Sequence, residues 1–142
     1  MGNSKEIMVK PIGYIETDYK TVEDLNIPPF KEESPYHNAD ITGTIHMHDE
    51  YVAGIKDIQP GSSAMLVFYF NQSEDYQLVA PSPISEKPIG VFSTRSPHRP
   101  NGIGVTIVHI IQIFDNKITF QGVDMLDGTP LLDIKPNDRA KK

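Results

Sequence analysis

The stretch IFDNKITF, residues 113–120, predicts an antiparallel pair of strands at the centre of the fold. Asp115 and Asn116 favour tight turns, and they stand between two runs rich in β-branched and aromatic side chains, a pattern typical of a β-hairpin. The run before the turn, Ile103–Phe114, is the longest strand that we expect in this chain. The run after it, Lys117–Met125, is expected to pair with it.

Short apolar segments separated by 12 prolines and 10 glycines extend this pattern along the chain. In DITGTIHMH, residues 40–48, apolar and polar residues alternate, as in a strand with one face in water. AMLVFYF, residues 64–70, is apolar throughout, which is typical of a strand covered on both faces or crossing a barrel interior. The predicted strands are Val9–Glu16, Ile41–His48, Ser63–Asn71, Ile89–Thr94, Ile103–Phe114, Lys117–Met125 and Pro130–Lys135.

Seven short strands with such turns predict an all-β fold, a small single-domain β-barrel, because closing a sheet removes the edges that template aggregation. Only DEYVAGIKDI, residues 49–58, has helix-like spacing, so we expect one short helix there. We expect one domain over residues 1–142, with its core at about residues 9–136 and a basic tail at residues 137–142.

The composition is that of a soluble globular protein: 142 residues, 38% hydrophobic and 23% charged. The longest apolar run is far too short to cross a bilayer, and the N-terminus lacks the apolar stretch of a secretory signal. We therefore expect a cytoplasmic protein with no membrane partner. The absence of cysteine excludes disulfides, thiolate zinc sites and cysteine nucleophiles.

The charge balance limits which partners bind by electrostatics alone. Thirteen Lys and Arg against 19 Asp and Glu give a net charge of −6, so non-specific nucleic-acid binding is disfavoured unless a local basic patch overcomes the overall field. Two such patches exist in the sequence. Arg95, His98 and Arg99 form one, and Lys135, Arg139, Lys141 and Lys142 form the other.

The loop TRSPHRPNGIG, residues 94–104, is the first candidate site. Its prolines fix backbone angles and its glycines allow tight turns, so we expect a rigid surface loop. The guanidinium groups of Arg95 and Arg99 suit carboxylate or phosphate, and His98 adds a third donor. The alternative is structural, with one arginine bound to neighbouring carbonyls and the other solvated.

The stretch GVDMLDGTPLLDIKP, residues 122–136, is the second candidate. Asp127 and Gly128 are an ordinary turn pair, so one interpretation is a strand corner in which Asp127 caps its own backbone. Asp124 and Asp133 lie in apolar surroundings, where a carboxylate is costly unless it has a partner, and the loop arginines are the obvious partners. A structural pairing and a functional site remain equally open here.

The histidines do not make a metal site by their spacing. His46 and His48 lie two apart on one strand face, but no third ligand has a fixed spacing to them. We interpret both as residues on the wet face of a strand and expect no metal. There is also no G-x-S-x-G elbow for a serine nucleophile.

Three segments together resemble the TsaA-like/TrmO family, also called YaeB or UPF0066: KPIGYIETDYKT, residues 10–21, GVFSTRSPHRPNGIGVTIVHI, residues 90–110, and GVDMLDGTPLLDIKP. The resemblance implies a small β-barrel methyltransferase that uses S-adenosylmethionine to methylate N6 of threonylcarbamoyladenosine at position 37 of tRNA. It also implies a homodimer, with the cofactor site near the subunit interface.

The resemblance assigns roles to particular residues. It implies a cofactor site made by Pro28, Pro29, Phe30, Asn71, Gln72, Arg95, Val105, Asp127, Gly128, Thr129 and Pro130. Arginine would meet the cofactor carboxylate, and the Gly-Thr turn would offer backbone groups. Asp127 is the candidate catalytic residue, and His98, Arg99 and Lys135 are the candidate substrate-binding residues.

Two departures from the family pattern keep other functions open. The family usually has Pro-Arg-Gln where this chain has Pro28, Pro29 and Phe30, and it usually has histidine where Asn71 stands. A methyltransferase for another acceptor, either another RNA or a small molecule, is one alternative. A non-catalytic barrel that binds an adenosine ligand is another.

Overall fold

Strands dominate the structure, a computed structural model that describes residues 5–21, 41–70, 75–82, 85–96 and 98–137. The eight strands of these residues are β1 Gly13–Glu16, β2 Thr42–Met47, β3 Ser63–Tyr69, β4 Val79–Ser82, β5 Ser85–Gly90, β6 Ile103–Phe114, β7 Lys117–Gln121 and β8 Thr129–Pro136. Two short 3-10 helices, Asp49–Ile55 and Val91–Ser93, accompany them. The first confirms the short helix predicted at residues 49–58.

Six strands close into an antiparallel barrel in the order β1-β2-β7-β6-β3-β8. The predicted hairpin joins β6 to β7, with Phe114 opposite Lys117 and Asp115 in the left-handed region at φ 56°. Aspartate tolerates this backbone conformation better than most side chains. The predicted all-β barrel is therefore confirmed, and β4 and β5 form a separate two-stranded sheet beside it.

Alternating side chains from the six strands fill the barrel. Along β2 the buried residues are Gly43, Ile45 and Met47, which is the alternation predicted from the sequence. β3 also alternates, with Ala64, Leu66 and Phe68 buried and the residues between them partly exposed. Only one face of this continuous apolar run therefore packs against the core. The fully buried core residues include Ile15, Ile45, Leu66, Ile110, Ile118, Phe120, Val123 and Leu131.

Several predicted strand limits are wrong. Residues 89–94 do not form one strand, because β5 ends at Gly90 and the amide and hydroxyl of Thr94 both donate to the carbonyl of Val91, which closes a 3-10 turn. β1 begins at Gly13 instead of Val9. β7 ends at Gln121 because Gly122 turns the chain at φ +105°, a conformation that glycine adopts without cost.

Candidate functional site

The candidate residues gather at one rim of the barrel. Because neighbouring strands run antiparallel, β1, β3 and β7 end at the same rim where β2, β6 and β8 begin. The loop at residues 94–102 leads into β6 at this rim, and the turn at residues 126–128 leads into β8. The structure thus places Arg95, His98, Arg99, Val105, Asp127, Gly128, Thr129 and Pro130 towards the same rim, although the turn at residues 127–130 lines neither of the two cavities described below.

The other predicted site residues either lie outside the described residues or are placed elsewhere in the fold. Pro28, Pro29, Phe30, Asn71 and Gln72 lie outside the described residues, as do Arg139, Lys141 and Lys142 of the basic tail. Lys135 lies near the other end of β8, opposite Met65, and its ammonium is 3.2 Å from the Asp133 carboxylate. The structure therefore separates Lys135 from the other candidate substrate-binding residues by most of the length of the strand.

Arg99 holds its own loop together. Its Nη1 donates to the carbonyls of Thr94 at 3.0 Å and Ser96 at 2.9 Å. The amide of Ser96 donates to the Thr94 hydroxyl, and the amide of His98 donates to the Ser96 hydroxyl. These local bonds make the loop the rigid element that its prolines and glycines predict, with Arg99 in the structural role that the sequence left open.

Arg95 reaches from this loop to the edge of β6. Its Nη2 donates to the carbonyl of Val105 at 3.0 Å. This carbonyl lies in the first half of β6, which extends past the end of β7. The last residue of β7, Gln121, pairs with His109. The remaining N–H groups of the guanidinium stay available, so Arg95 keeps the ability to bind an anion while its position is fixed.

A cavity of about 640 Å³ runs along this first half of β6. The segment after β7 and the loop arginines Arg95 and Arg99 also line it. The other lining residues include Phe68, Phe70, Val105, Thr106, Ile107, Val123 and Asp124. Its volume is in the range of small-molecule sites, which typically enclose about 300–1,000 Å³. It is mainly apolar, with a few charged groups of both signs.

Asp124 is the unusual residue of the cavity. Among the described residues, its Oδ1 is the only buried side-chain oxygen or nitrogen without a hydrogen-bond partner. Burial raises the pKa of this carboxyl to about 6, although a hydrogen bond from Thr106 and the charge of Arg95 both favour the ionised form. The predicted pairing with a loop arginine is thus present as charge proximity, and it leaves one oxygen unsatisfied.

The turn at residues 126–130 is closed by bonds within the chain. Asp127 Oδ1 accepts from the amide of Thr17 at 2.9 Å and Oδ2 accepts from Lys20 at 2.8 Å. The bond with Lys20, and then that with Thr17, lower the pKa of the Asp127 carboxyl. Gly128, at φ +85°, provides the left-handed residue that the turn requires.

The amides of this turn are already used. Those of Asp127, Gly128 and Thr129 donate to the carbonyls of Tyr19, Ile15 and Leu126 at 2.7, 2.7 and 3.2 Å. The sequence led us to expect free backbone groups here for a ligand, and for these three N–H groups the structure corrects that expectation. The turn is therefore bonded to the segment around the end of β1, and these three N–H groups are not free for a ligand.

A second cavity, of about 610 Å³, lies on the other side of the same loop. Asp75, Tyr76, Ser96 and His98 contribute to its lining. Thr94 lines both cavities, so the loop at residues 94–99 is the wall between them. Arg95 and His98 are three residues apart, and they face two different spaces.

One polar pair had no signal in the local sequence. His46 Nε2 lies 2.6 Å from Glu16 Oε1, and the imidazole stacks on Tyr14 with ring centroids 4.7 Å apart. Only the β1–β2 register, which places Tyr14 opposite His46, brings these residues together.

Within the described part of the chain no three His, Asp or Glu residues cluster as metal ligands, and no helix there is long and apolar enough to cross a membrane.

Comparison with known proteins gives relatives for this barrel. Residues 14–139 match the family model for the tRNA-methyltransferase O N-terminal domain. A probable S-adenosyl-L-methionine-binding protein of Pyrococcus abyssi is 37% identical over 92% of this chain and 67% of its own length. The tRNA (adenine(37)-N6)-methyltransferase of Mus musculus is 31% identical over 92% of this chain and 30% of its own length.

The solved structures agree with the sequence matches. The crystal structure of TrmO from Pseudomonas aeruginosa superposes with a TM-score of 0.75 and 29% identity, over 99% of this chain and 60% of that one. This chain thus spans about two thirds or less of the length of these three relatives. Since the family model covers most of the chain and the barrel matches in three dimensions, the chain belongs to the tRNA-methyltransferase O N-terminal domain family, the TsaA-like family that its loops resemble.

Proposed function

We propose that this chain is an S-adenosylmethionine-dependent methyltransferase that methylates N6 of threonylcarbamoyladenosine at position 37 of tRNA. The observation that carries the proposal is the cavity at the rim, where a fixed arginine and a partly buried carboxylate with one unsatisfied oxygen face a mainly apolar space of about 640 Å³. The names of the relatives support the cofactor and the class of acceptor.

The residues of the cavity fit the cofactor in size and charge. Arg95 is placed to hold the carboxylate of its amino-acid end, and Val105 and Phe70 supply apolar surface for the adenosine. When bound, the cofactor supplies an activated methyl group, because the cationic sulfur that carries this methyl group is a good leaving group. What this chain must add is alignment of the acceptor nitrogen with that methyl group and exclusion of water.

The structure supports a positioning role for Asp127. Both of its carboxylate oxygens are bound by groups of the chain, and its pKa is lowered, which makes it a weak proton acceptor. Its contacts with Thr17 and Lys20 fix the turn before β8 against the segment that follows β1. Direct participation of Asp127 in catalysis stays a prediction, and the positioning role is the one that its hydrogen bonds favour.

We place the acceptor nucleoside in the second cavity. Tyr76 and His98 line it, and an exposed tyrosine ring suits the stacking by which proteins hold unpaired RNA bases. The loop between the cavities would bring the acceptor close to the cofactor. The cations of this loop, Arg95 and Arg99, provide the local positive charge that an acidic protein needs near a phosphate backbone.

A second copy of the chain is the partner that we propose for the outer face of β6. Ile103, Val105, Ile107 and Ile111 point outward along this strand and are between 39% and 52% exposed. Covering such a strip of apolar side chains stabilises an interface. Because Ile103, Val105 and Ile107 also line the cavity, the dimer would place a partner subunit at the rim of the cofactor site.

The test uses purified protein, S-adenosylmethionine with a labelled methyl group, and two forms of one tRNA, with and without threonylcarbamoyl on adenosine 37. We expect label only in the modified tRNA, on N6 of that nucleoside by mass spectrometry. Arg95→Ala should raise the cofactor KM, and Tyr76→Ala should raise the tRNA KM. Lys56→Ala, an exposed site between β2 and β3 at the opposite rim, is the matched control.

Each outcome of this test decides between the functions considered. Label in a small-molecule extract or another RNA, with none in the modified tRNA, would show a methyltransferase for a different acceptor. Cofactor binding without transfer to any acceptor would show a binding protein. No binding of the cofactor at all would overturn the proposal.

A further inference from the structure

Arg95 and Asp124, two oppositely charged residues that line the cavity along β6, differ in how far their hydrogen-bonding groups are satisfied. Arg95 donates to the Val105 carbonyl, so its position is set before any ligand arrives. Asp124 has an oxygen with almost no contact with solvent and no donor. Buried polar atoms in folded proteins nearly always have partners, and an orphan of this kind calls for a specific explanation.

The surroundings of Asp124 show what kind of partner is missing. Thr106 already supplies a neutral donor and Arg95 supplies charge, yet burial outweighs both and keeps the pKa near 6. A further cationic donor inside the cavity would satisfy the oxygen and favour the ionised form. Arg95 itself is held by the β6 carbonyl, and no hydrogen bond joins it to Asp124 among the described residues.

We propose that Arg95 and Asp124 form a binding pair for a zwitterionic amino-acid group, in which Arg95 binds the α-carboxylate and Asp124 binds the α-ammonium group. This inference rests on the proposed function, because the amino-acid end of S-adenosylmethionine is the ligand that brings both groups. An ammonium group is a compact cation with three donors, which matches a buried carboxylate with one empty oxygen. Because the pair binds the carboxylate and the ammonium group of the same amino-acid end, it also orients the ligand in the cavity.

The test compares two ligands that differ in the amino-acid end. S-adenosylhomocysteine carries that end, and 5′-methylthioadenosine has the adenosine and sulfur without it. Affinities for wild type and Asp124→Asn are measured by titration calorimetry at pH 7.5. We expect the substitution to weaken S-adenosylhomocysteine about 10- to 100-fold, as is typical for loss of a charged hydrogen bond, and to change 5′-methylthioadenosine less than about threefold.

Asp57→Asn is the matched control, since it makes the same chemical change at an exposed site beside Lys56. It should leave both affinities unchanged. Circular dichroism and thermal melting of Asp124→Asn verify that the variant folds. If Asp124→Asn weakens both ligands equally, or weakens neither, the proposed pair is wrong and the oxygen has another partner, such as an internal water.

A second readout follows from the proton on Asp124. At pH 6 the free carboxyl is partly protonated, so binding of an ammonium group beside it should release a fraction of a proton. Calorimetry in two buffers of different ionisation enthalpy measures this release, which should be present in wild type and lost in Asp124→Asn. Arg95, Arg99 and His109 are the other charged or titratable groups lining the cavity, and the comparison of the two proteins removes the contribution of His109.

The failure of this inference is distinguishable from failure of the proposed function. If wild type binds neither ligand, the cofactor assignment itself fails and the pair fails with it. If wild type binds both ligands with equal affinity and releases no proton, the adenosine site stands and only the zwitterion-binding pair is overturned.

Discussion

Asp127 accepts a hydrogen bond from the backbone amide of Thr17, although 110 residues separate the two in the chain. The bond joins the end of β1 to the turn before β8, and the Thr17 side chain beside it is buried, with its hydroxyl donating to the Met125 carbonyl. The pair therefore ties together two of the segments that resemble the family, at the rim where the candidate site lies.

Two substitutions of Asp127 should measure separately how much its hydrogen bond with Thr17 and its ion pair with Lys20 contribute to stability. Asp127→Ala leaves the Thr17 amide without an acceptor and should lower the free energy of unfolding by about 1–2 kcal/mol. Asp127→Asn keeps an oxygen for that amide and loses only the exposed Lys20 ion pair, so it should cost clearly less than Asp127→Ala. Urea unfolding at pH 7 measures both, and equal losses would contradict the role assigned to the Thr17 bond.

The same carboxylate predicts a pH dependence of stability. The folded-state pKa of Asp127 is lowered, so its stabilising contribution is present above the ordinary pKa of an aspartate, near 4, and is lost as the pH falls through the lower folded-state value. The difference in unfolding free energy between wild type and Asp127→Asn should therefore shrink below about pH 4. A difference that stays constant down to pH 2.5 would argue against an ionised Asp127 bound to Lys20.

Asp124 should act on stability in the opposite direction. Its folded-state pKa, about 6, lies above its ordinary value of 3.8, so the folded state favours the protonated carboxyl. The associated stability is present below pH 4 and lost as the pH rises through 6. Asp124→Asn removes a buried charge, and it should be more stable than wild type at pH 8 by at most roughly 3 kcal/mol.

Urea unfolding of wild type and Asp124→Asn at pH 4, 6 and 8 tests this expectation. The advantage of the variant should grow with pH and level off above pH 7. If the difference in unfolding free energy between the two proteins does not change with pH, the pKa of Asp124 is the same in the folded and unfolded states, and the expectation is wrong.

Gly104 should not tolerate a side chain. A Cβ atom there would lie 2.6 Å from Phe70 Cε2 and 2.7 Å from Phe68 Cε1, inside the barrel and beside the cavity. Gly104→Ala should cost about 1–3 kcal/mol through displacement of these rings. Gly54→Ala is the control, since nothing lies within 4 Å of its added Cβ, and it should be neutral or slightly stabilising. Thermal melting of both variants measures the contrast, and equal melting temperatures would refute it.

Arg99 should be needed for its shape as well as its charge. One guanidinium nitrogen bonds two carbonyls of its own loop, which an ammonium on a flexible stem does less well. Arg99→Lys and Arg99→Ala should therefore both speed amide hydrogen exchange in residues 94–99. If Arg99→Lys exchanges like wild type, the charge of Arg99 is sufficient and its fork of donors does not hold the loop.

Ile107 tests the proposed dimer. Ile107→Asp places a charge in the middle of the outer face of β6 and should convert a dimer into a monomer at micromolar concentration, as measured by light scattering. Ile7→Asp makes the same change at an exposed residue before β1 and should not alter the mass. A monomeric wild-type protein, or a dimer that survives Ile107→Asp, would remove this face as the interface.

Much of the fold was available from the sequence because its signals are local. Alternating side chains identify β2, and the Asp115–Asn116 turn identifies the β6–β7 hairpin, since each depends on residues a few positions apart. The errors lie where a local turn interrupts a run of strand-forming residues. The Thr94 bonds to Val91 and the left-handed Gly122 ended strands that the composition alone would continue.

The three aspartates of one short segment have different surroundings in the folded protein, and the local sequence does not predict which is which. Asp124, Asp127 and Asp133 lie within ten residues and share apolar neighbours in the sequence, yet one is buried with an empty oxygen, one is bound by Thr17 and Lys20, and one is half exposed beside Lys135. The sequence predicted the loop arginines as partners of Asp124 and Asp133; the structure has Arg95 near Asp124, whereas Asp133 lies beside Lys135. Which carboxylate lies in the cavity depends on strand register and on partners distant in the chain, because burial and electrostatic contact act through space.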